Sequence, residues 1–441
     1  MAPTDAAVLT DLLAARGQMA MSLAFHIIFA VLGIGMPLLM VLAEREWMRT
    51  GEAVWLDLAK RWAKGTAILF AVGAVSGTVL SFELGLLWPR FMEYAGAIIG
   101  MPFSLEGFAF FTEAIFLGVY LYGWSRLSPR AHWWAGVAVT VSGTVSGVFV
   151  VLANAWMNAP TGFRLVDGRP VDIDPIAAML NPAALPQALH MTLAAFAATG
   201  IAIAGISAVA LRRDPSIQVH RAALRLALWV AVPASLLQVV SGDLSAKFLA
   251  DHQPVKLAAM EGHFTSERGA ALRIGGLPDE TAGTTRYAIE VPRMLSVLAF
   301  GDPNAEVRGL DAVPRSDWPP VLITHLAFQV MVGLGSLMVL AALWVIVCWV
   351  RGRDVVASRP LLTLLAWLMP AGFLAVEAGW VVTEVGRQPW IIQGVMRTAD
   401  AVTPMPGLAV PFALFTLLYV FLGGVVCWLL WTQIVKGHAN A

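Results

Sequence analysis

Apolar residues gather in nine stretches, near 17–43, 65–87, 104–125, 132–156, 185–211, 222–243, 319–350, 360–384 and 407–435. A helix needs about 20 such residues to cross the hydrocarbon of a bilayer. The pattern therefore predicts an all-α, polytopic integral membrane protein with about nine transmembrane helices. Residues 1–243 carry the first six spans and 319–441 the last three. Between them, 244–318 is rich in Asp, Arg, Gly and Pro and too polar for lipid, so it is expected to be a loop in water.

Composition agrees with that reading. Of 441 residues, 58% are hydrophobic and 13% charged, where a soluble domain carries about a quarter charged. The formal net charge of zero leaves no basic face for nucleic acid. Cys348 and Cys427 sit in apolar runs and read as small hydrophobes, not as a disulfide or a thiolate metal site. The N-terminal segment lacks the pattern of a cleavable signal, so the first span is expected to act as an uncleaved one.

Charge between the spans orients the chain. Loops after spans one, three, five and seven hold 14 Lys and Arg, against 5 after spans two, four and eight. Positive loops stay in the cytoplasm. The N-terminus and the loop 244–318 are thus expected outside, and the C-terminus with Lys436 inside.

Ionisable groups are costly within a span, so each is a candidate site. His26 lies in the first span, Glu83 near the outer end of the second, and Glu106 and Glu113 in the outer half of the third. His190 opens the fifth, Met331 lies in the outer half of the seventh, and Glu377 and Glu384 approach the outer end of the eighth. They cluster toward the outside, whereas transporters more often place a site at the midplane. His and Met suit low-spin heme iron, and His alone or with a carboxylate suits an iron that binds a ligand. Each residue also has a plainer reading. An intramembrane His is often only hydrogen-bonded to a neighbour, and most of the 18 methionines must be packing residues. Glu106 and Glu113, seven apart on one helix face, suit a proton relay or a polar helix interface equally. Taken alone, these features reach a redox or proton-handling membrane protein with outer-side cofactors. A proton-coupled transporter would more often show internal repeats or matched broken helices, neither of which is evident. A cofactor-free scaffold would have no use for costly ligands at one depth.

Five segments carry a resemblance. They are Gly386-Arg387-Gln388-Pro389-Trp390 after Gly379-Trp380 and Glu384; Lys256 to Gly262; Ala153-Asn154-Ala155-Trp156-Met157-Asn158; Pro102 to Gly107; and Phe110-Phe111-Thr112-Glu113. With these segments in the family's order along the chain, nine spans and a large loop after the sixth, the chain resembles the heme-bearing subunit of cytochrome bd quinol oxidases. The resemblance implies that His190 and Met331 ligate a low-spin heme b, His26 a high-spin heme at the oxygen site, and Glu384 the other high-spin heme. It implies two hemes b and a third heme, d or b. It places Glu106 and Glu113 at the di-heme site and its proton path, with Asn154 and Ser146 beside them. Lys256 and Glu261 match quinol-binding residues, Arg387 a group that neutralises heme propionates or Glu384, Trp380 a residue packed beside the hemes, and Arg16 and Gln18 a polar pair before the first span. The implied partners are a second subunit, a small single-span subunit, quinol and O2, in a bacterial inner membrane. The implied activity is quinol oxidation at the outer, periplasmic side with electrogenic uptake of cytoplasmic protons. The chain departs from many relatives in carrying Gln329 where they have Arg. Its short outer loop is similar to that of the class containing the cyanide-insensitive oxidases.

Overall fold

The structure, a computed structural model, describes residues 10–432; Lys436 and the first nine residues lie outside them. Nine helices among the described residues are long and apolar enough to cross a membrane. They are Asp11–Thr50, Ala53–Leu87, Pro89–Tyr122, Pro129–Asn158, Ala184–Arg213, Gln218–His252, Val321–Val350, Arg359–Val385 and Ala409–Leu430, here called spans one to nine. The expected all-α membrane bundle is what forms, with short strand pairs in the loops.

Spans one to four pack together, spans five to eight form a second group, and span one joins them by lying on span five. The middle of span five is made of small residues, with Ala195, Ala197, Ala198, Gly200, Ala202, Ala204 and Gly205 among them. Small residues let helix backbones approach closely, which is where packing energy comes from when lipid tails are as apolar as leucine. Gly35 of span one lies against Thr199, and Gly372 of span eight against Ala198. Both glycines thus press on one turn of span five. Span nine sits at the edge, with 11% of its most apolar stretch buried against 61% for span five.

Several helices outrun their apolar windows. Span three begins at Pro89, not near 104, so Glu106 lies near its midpoint and Glu113 beyond it, where the apolar window places both in the first half. Span six continues to His252, past Asp243 and Lys247, which pair with each other at 2.6 Å. The segment between spans six and seven therefore starts at Gln253. Span eight is two helices, Arg359–Trp367 and Ala371–Val385. The break falls before Pro370, which has no N–H to continue the ladder.

After span six a short helix, Pro254–Glu261, ends on Gly262 at φ 60°. An added Cβ there would stand 2.5 Å from Thr285 Oγ1, so glycine meets both a backbone and a space requirement. Three antiparallel strand pairs follow: Glu267–Arg268 with Glu306–Val307, Leu272–Ile274 with Ile289–Val291, and Leu277–Asp279 with Thr284–Arg286. Span seven holds this loop by two side chains. Gln329 accepts from the Gly275 amide at 2.9 Å and donates to the Arg273 carbonyl at 3.1 Å. The His325 ring lies between the Met260 carbonyl at 2.8 Å and the Gly275 carbonyl at 3.1 Å. Replacing Gln329 by Leu removes one complete clamp, and limited proteolysis of the purified protein should then cut the 253–320 loop faster.

Candidate functional site

Two histidines are set the same way. Ser76 Oγ, on span two, lies 2.9 Å from the Val72 carbonyl and 3.1 Å from that of Gly73, both acceptors. Its own proton is thereby committed, so the contact at 3.0 Å with His26 Nδ1 is donated by the ring. Ser241 Oγ on span six donates to the Gln238 carbonyl at 3.0 Å and in turn accepts from His190 Nδ1, also at 3.0 Å. In both rings the lone pair is left on Nε2, the atom an iron needs. The His190 lone pair meets the Gln238 amide nitrogen at 3.0 Å. Glycines flank the candidate ligands: an added Cβ at Gly77 would stand 3.0 Å from His26 Cε1, one at Gly242 3.7 Å from His190 Cε1, and one at Gly379 3.1 Å from Met331 Sδ. His26, His190, Met331 and Glu384 are all half-buried.

The carboxylate of Glu384 is the centre of a polar chain. Asn154 Nδ2 donates to one oxygen at 2.5 Å and Arg387 Nη2 to the other at 2.5 Å. Asn158, one turn beyond Asn154, donates to the Asn154 carbonyl at 3.0 Å. Lys256 Nζ donates to Asn158 Oδ1 at 2.7 Å, and Gln253 donates to the Asn158 carbonyl at 2.7 Å. The short loop helix is thus tied to the Glu384 site by a run of hydrogen bonds. Lys256 is buried, and burial pushes its ammonium down to about 7, with Arg387 adding to the effect and Glu384 opposing it.

Glu261, on the same short helix, faces elsewhere. Burial pushes its carboxyl up to about 8, opposed by Arg273, and its Oε2 has no hydrogen-bond partner. Arg273 reaches His263 Nδ1 at 3.1 Å and Glu290 at 3.1 Å. Burial, followed by Arg273, holds the His263 ring below its usual range. Lys256 and Glu261 therefore belong to different polar neighbourhoods.

Other expected site residues fall as follows. Ser146 donates to Glu106 at 3.1 Å, and Glu113 lies against Gly143, both contacts on span four. Gln18 and Ser22 each donate to Glu83 at 2.9 Å. Arg16 is half-buried two residues before Gln18 on span one. Trp380 packs against a buried cluster from spans one, five and eight that includes Ile27, Val31, Ala198 and Val376.

A family model, cytochrome bd terminal oxidase subunit I, matches residues 14–438. The chain belongs to that family. It is 38% identical over 428 residues to a Bacillus subtilis (strain 168) protein provisionally named cytochrome bd menaquinol oxidase subunit I, covering 95% of this chain and 96% of the relative. A cytochrome bd ubiquinol oxidase subunit 1 of the same organism is 32% identical over 449 residues, covering 98% and 96%. The solved bd oxidase from Geobacillus thermodenitrificans superposes with a TM-score of 0.90 at 38% identity, covering 97% of this chain and 99% of that one. As a bd oxidase subunit I, the protein is a multi-pass component of a bacterial inner membrane, works with a subunit II, and is a heme protein.

The residues present fit that group. Arg387 is 2% exposed, and its Nε and Nη1 are buried without partners. A buried guanidinium with open donors is a site for a carboxylate, such as a heme propionate. Two imidazoles with a free Nε2, a thioether and a carboxylate are suitable iron donors. Sequence reading gave no role to Ser76, Ser241, Gln238, Asn158 or Gln253, because each acts through a contact with a residue far along the chain.

Proposed function

We propose that this subunit oxidises quinol at the 253–320 loop and passes the electrons to hemes that reduce O2 to water. His190 and Met331 would hold a low-spin heme b, and His26 and Glu384 two high-spin hemes, one b and the other d or b. The observation that carries the reading is the chain from Lys256 through Asn158 and Asn154 to Glu384 and Arg387, which ties the loop to the candidate ligands. Bound at these residues, heme iron supplies one-electron transfer and oxygen reduction.

The chain's own groups handle protons and charge. Two quinols give two quinones, four protons and four electrons; O2 takes up four electrons and four protons to give two waters. Glu261, with a free carboxyl oxygen, accepts a proton from a quinol hydroxyl. Lys256 can donate to a quinol oxygen as it donates to Asn158. Arg387 offsets negative charge beside Glu384. Protons for water formation reach the site through Glu113 and Glu106. With quinol protons released at the loop side and consumed protons drawn from the other, turnover charges the membrane without a pump. Subunit II completes the enzyme, and a small single-span subunit is a further expected partner.

Glu261 acts as a base only when ionised, so its active fraction rises with pH through about 8. Quinol oxidation at low quinol should climb with pH up to that value, and Glu261→Gln should remove the climb and slow the reaction by roughly 10²–10⁴-fold, the usual span for a general base. Oxygen reduction from an artificial donor that reduces the hemes directly should be spared. Equal loss with both donors would make the loop structural and reject this assignment.

A further inference from the structure

Glu44 and His132 form a buried pair that the oxidase reading does not use. They are 0% and 2% exposed, with Glu44 near the end of span one and His132 near the start of span four. His132 Nδ1 stands 2.7 Å from Glu44 Oε1, and Nε2 stands 2.8 Å from the Tyr120 carbonyl. Both partners are acceptors, whereas a neutral imidazole has one N–H. A second proton must lie between Nδ1 and Oε1, whichever atom carries it. The pair therefore holds one proton more than a neutral imidazole beside a carboxylate.

Its surroundings point in two directions. The His132 ring lies against Tyr120 at 4.3 Å and Trp124 at 4.0 Å, and Lys60 Nζ stands over Trp124 at 5.3 Å. The other Glu44 oxygen and the Tyr120 hydroxyl are buried and have no hydrogen-bond partner. Buried polar atoms without partners are uncommon in native proteins and call for an explanation. Toward the surface, a hollow of about 500 Å³ is lined by Trp47, Met48 and Gly51, just past Glu44, and by Ser128, Pro129 and Arg130, just before His132. Toward the interior, Glu106, Glu113 and Tyr120 recur every seven residues on span three. They meet Ser146, Gly143 and Gly136 in reverse order on span four. A Cβ at Gly143 would lie 2.9 Å from the Glu113 carboxylate, and one at Gly136 2.7 Å from the Tyr120 ring. Glycine at these positions lets the Glu113 carboxylate and the Tyr120 ring lie directly against the backbone of span four.

We propose that Glu44 and His132 are a proton-holding station, loaded from the hollow at the basic end of the bundle, that supplies Glu113 and then Glu106 along the seam between spans three and four. Resting on the oxidase reading, this names the residues where its proton route begins. The step from Tyr120 to Glu113, two helical turns or about 10 Å, is a water-bridged one. No electron moves along the seam: each proton that leaves the station is replaced from the hollow.

The test uses the whole oxidase with its partner subunit, in lipid vesicles. In Glu44→Gln, heme reduction by quinol without oxygen should keep its rate. The proton-limited phase of reoxidation by O2 should slow about tenfold, with a larger solvent isotope effect, and a carboxyl signal should vanish from the redox infrared difference spectrum. Glu44→Asp should restore the rate in part, which a purely packing role would not allow. Reoxidation within twofold of the parent together with an unchanged infrared spectrum overturns the proposal. If Glu44→Gln fails to assemble, Met48→Cys in a Cys427→Ser background, capped with a bulky thiol reagent, blocks the hollow instead; unchanged proton uptake then overturns it. Failure of quinol to reduce hemes in the parent protein would sink the oxidase reading itself, a separate result.

Discussion

His190→Ala should yield a membrane-inserted protein whose dithionite-reduced spectrum lacks the low-spin heme b band. The fold should survive, since His190 is half-buried and its ring contacts are Ser241 and Gln238. Losing such hydrogen bonds costs about 1 kcal/mol each. Met331→Leu separates ligation from packing more sharply. Leucine replaces methionine at nearly constant volume, usually for less than about 1.5 kcal/mol, but it has no sulfur to offer an iron. Both variants should show the same spectral loss, with electrons from quinol no longer reaching the remaining hemes. An unchanged spectrum in either would remove that residue from the ligand set.

The second large effect concerns one helix contact. In Gly35→Ala the new Cβ would stand 2.2 Å from Thr199 Oγ1 and 2.4 Å from Thr199 Cβ. Thr199 is β-branched, 1% exposed, and donates to the Val31 carbonyl at 3.3 Å, so it cannot swing aside. Spans one and five must then part by more than an ångström. Overpacking of this kind costs about 1–3 kcal/mol, occasionally more, and here it also separates the helices carrying His26 and His190. We expect a lower melting temperature and loss of heme from the purified oxidase. Gly33→Ala, with nothing within 4 Å of its Cβ, should lack this effect. Thr199→Gly placed beside Gly35→Ala should restore assembly. Equal behaviour of the two alanine variants would mean that this contact does not hold the bundle.

The nine spans were legible because lipid imposes a long apolar run on each of them. Their ends were not. Pro89 to Met101 continue span three in a stretch whose Arg90 and Glu93 break the apolar pattern, and span six runs on through a side-chain pair that matches helical spacing but not lipid. The candidate ligands stood out because His26, His190 and Glu384 are polar residues in apolar runs. Their supports could not stand out. A serine such as Ser76 or Ser241 is ordinary in a membrane helix, and only the folded chain puts it 3.0 Å from an imidazole. His132 escaped for another reason: it begins its apolar window, where a polar residue excites no attention, and its meaning lies in Glu44, far away in sequence.

The grip of spans one, five and eight on one another also sets a timetable for biogenesis. A chain emerging from the ribosome completes its first four-helix unit, station and seam included, once residue 158 is out. The contact of Gly35 waits for Thr199, and that of Gly372 closes on the same turn only late in translation. His26 thus stands in a finished half-bundle well before Glu384 has been synthesised. On the proposed ligand set, insertion of hemes held by both halves would in consequence be a late event, and a nascent chain stalled before the eighth span would be a membrane protein with the proposed proton route and nowhere to deliver.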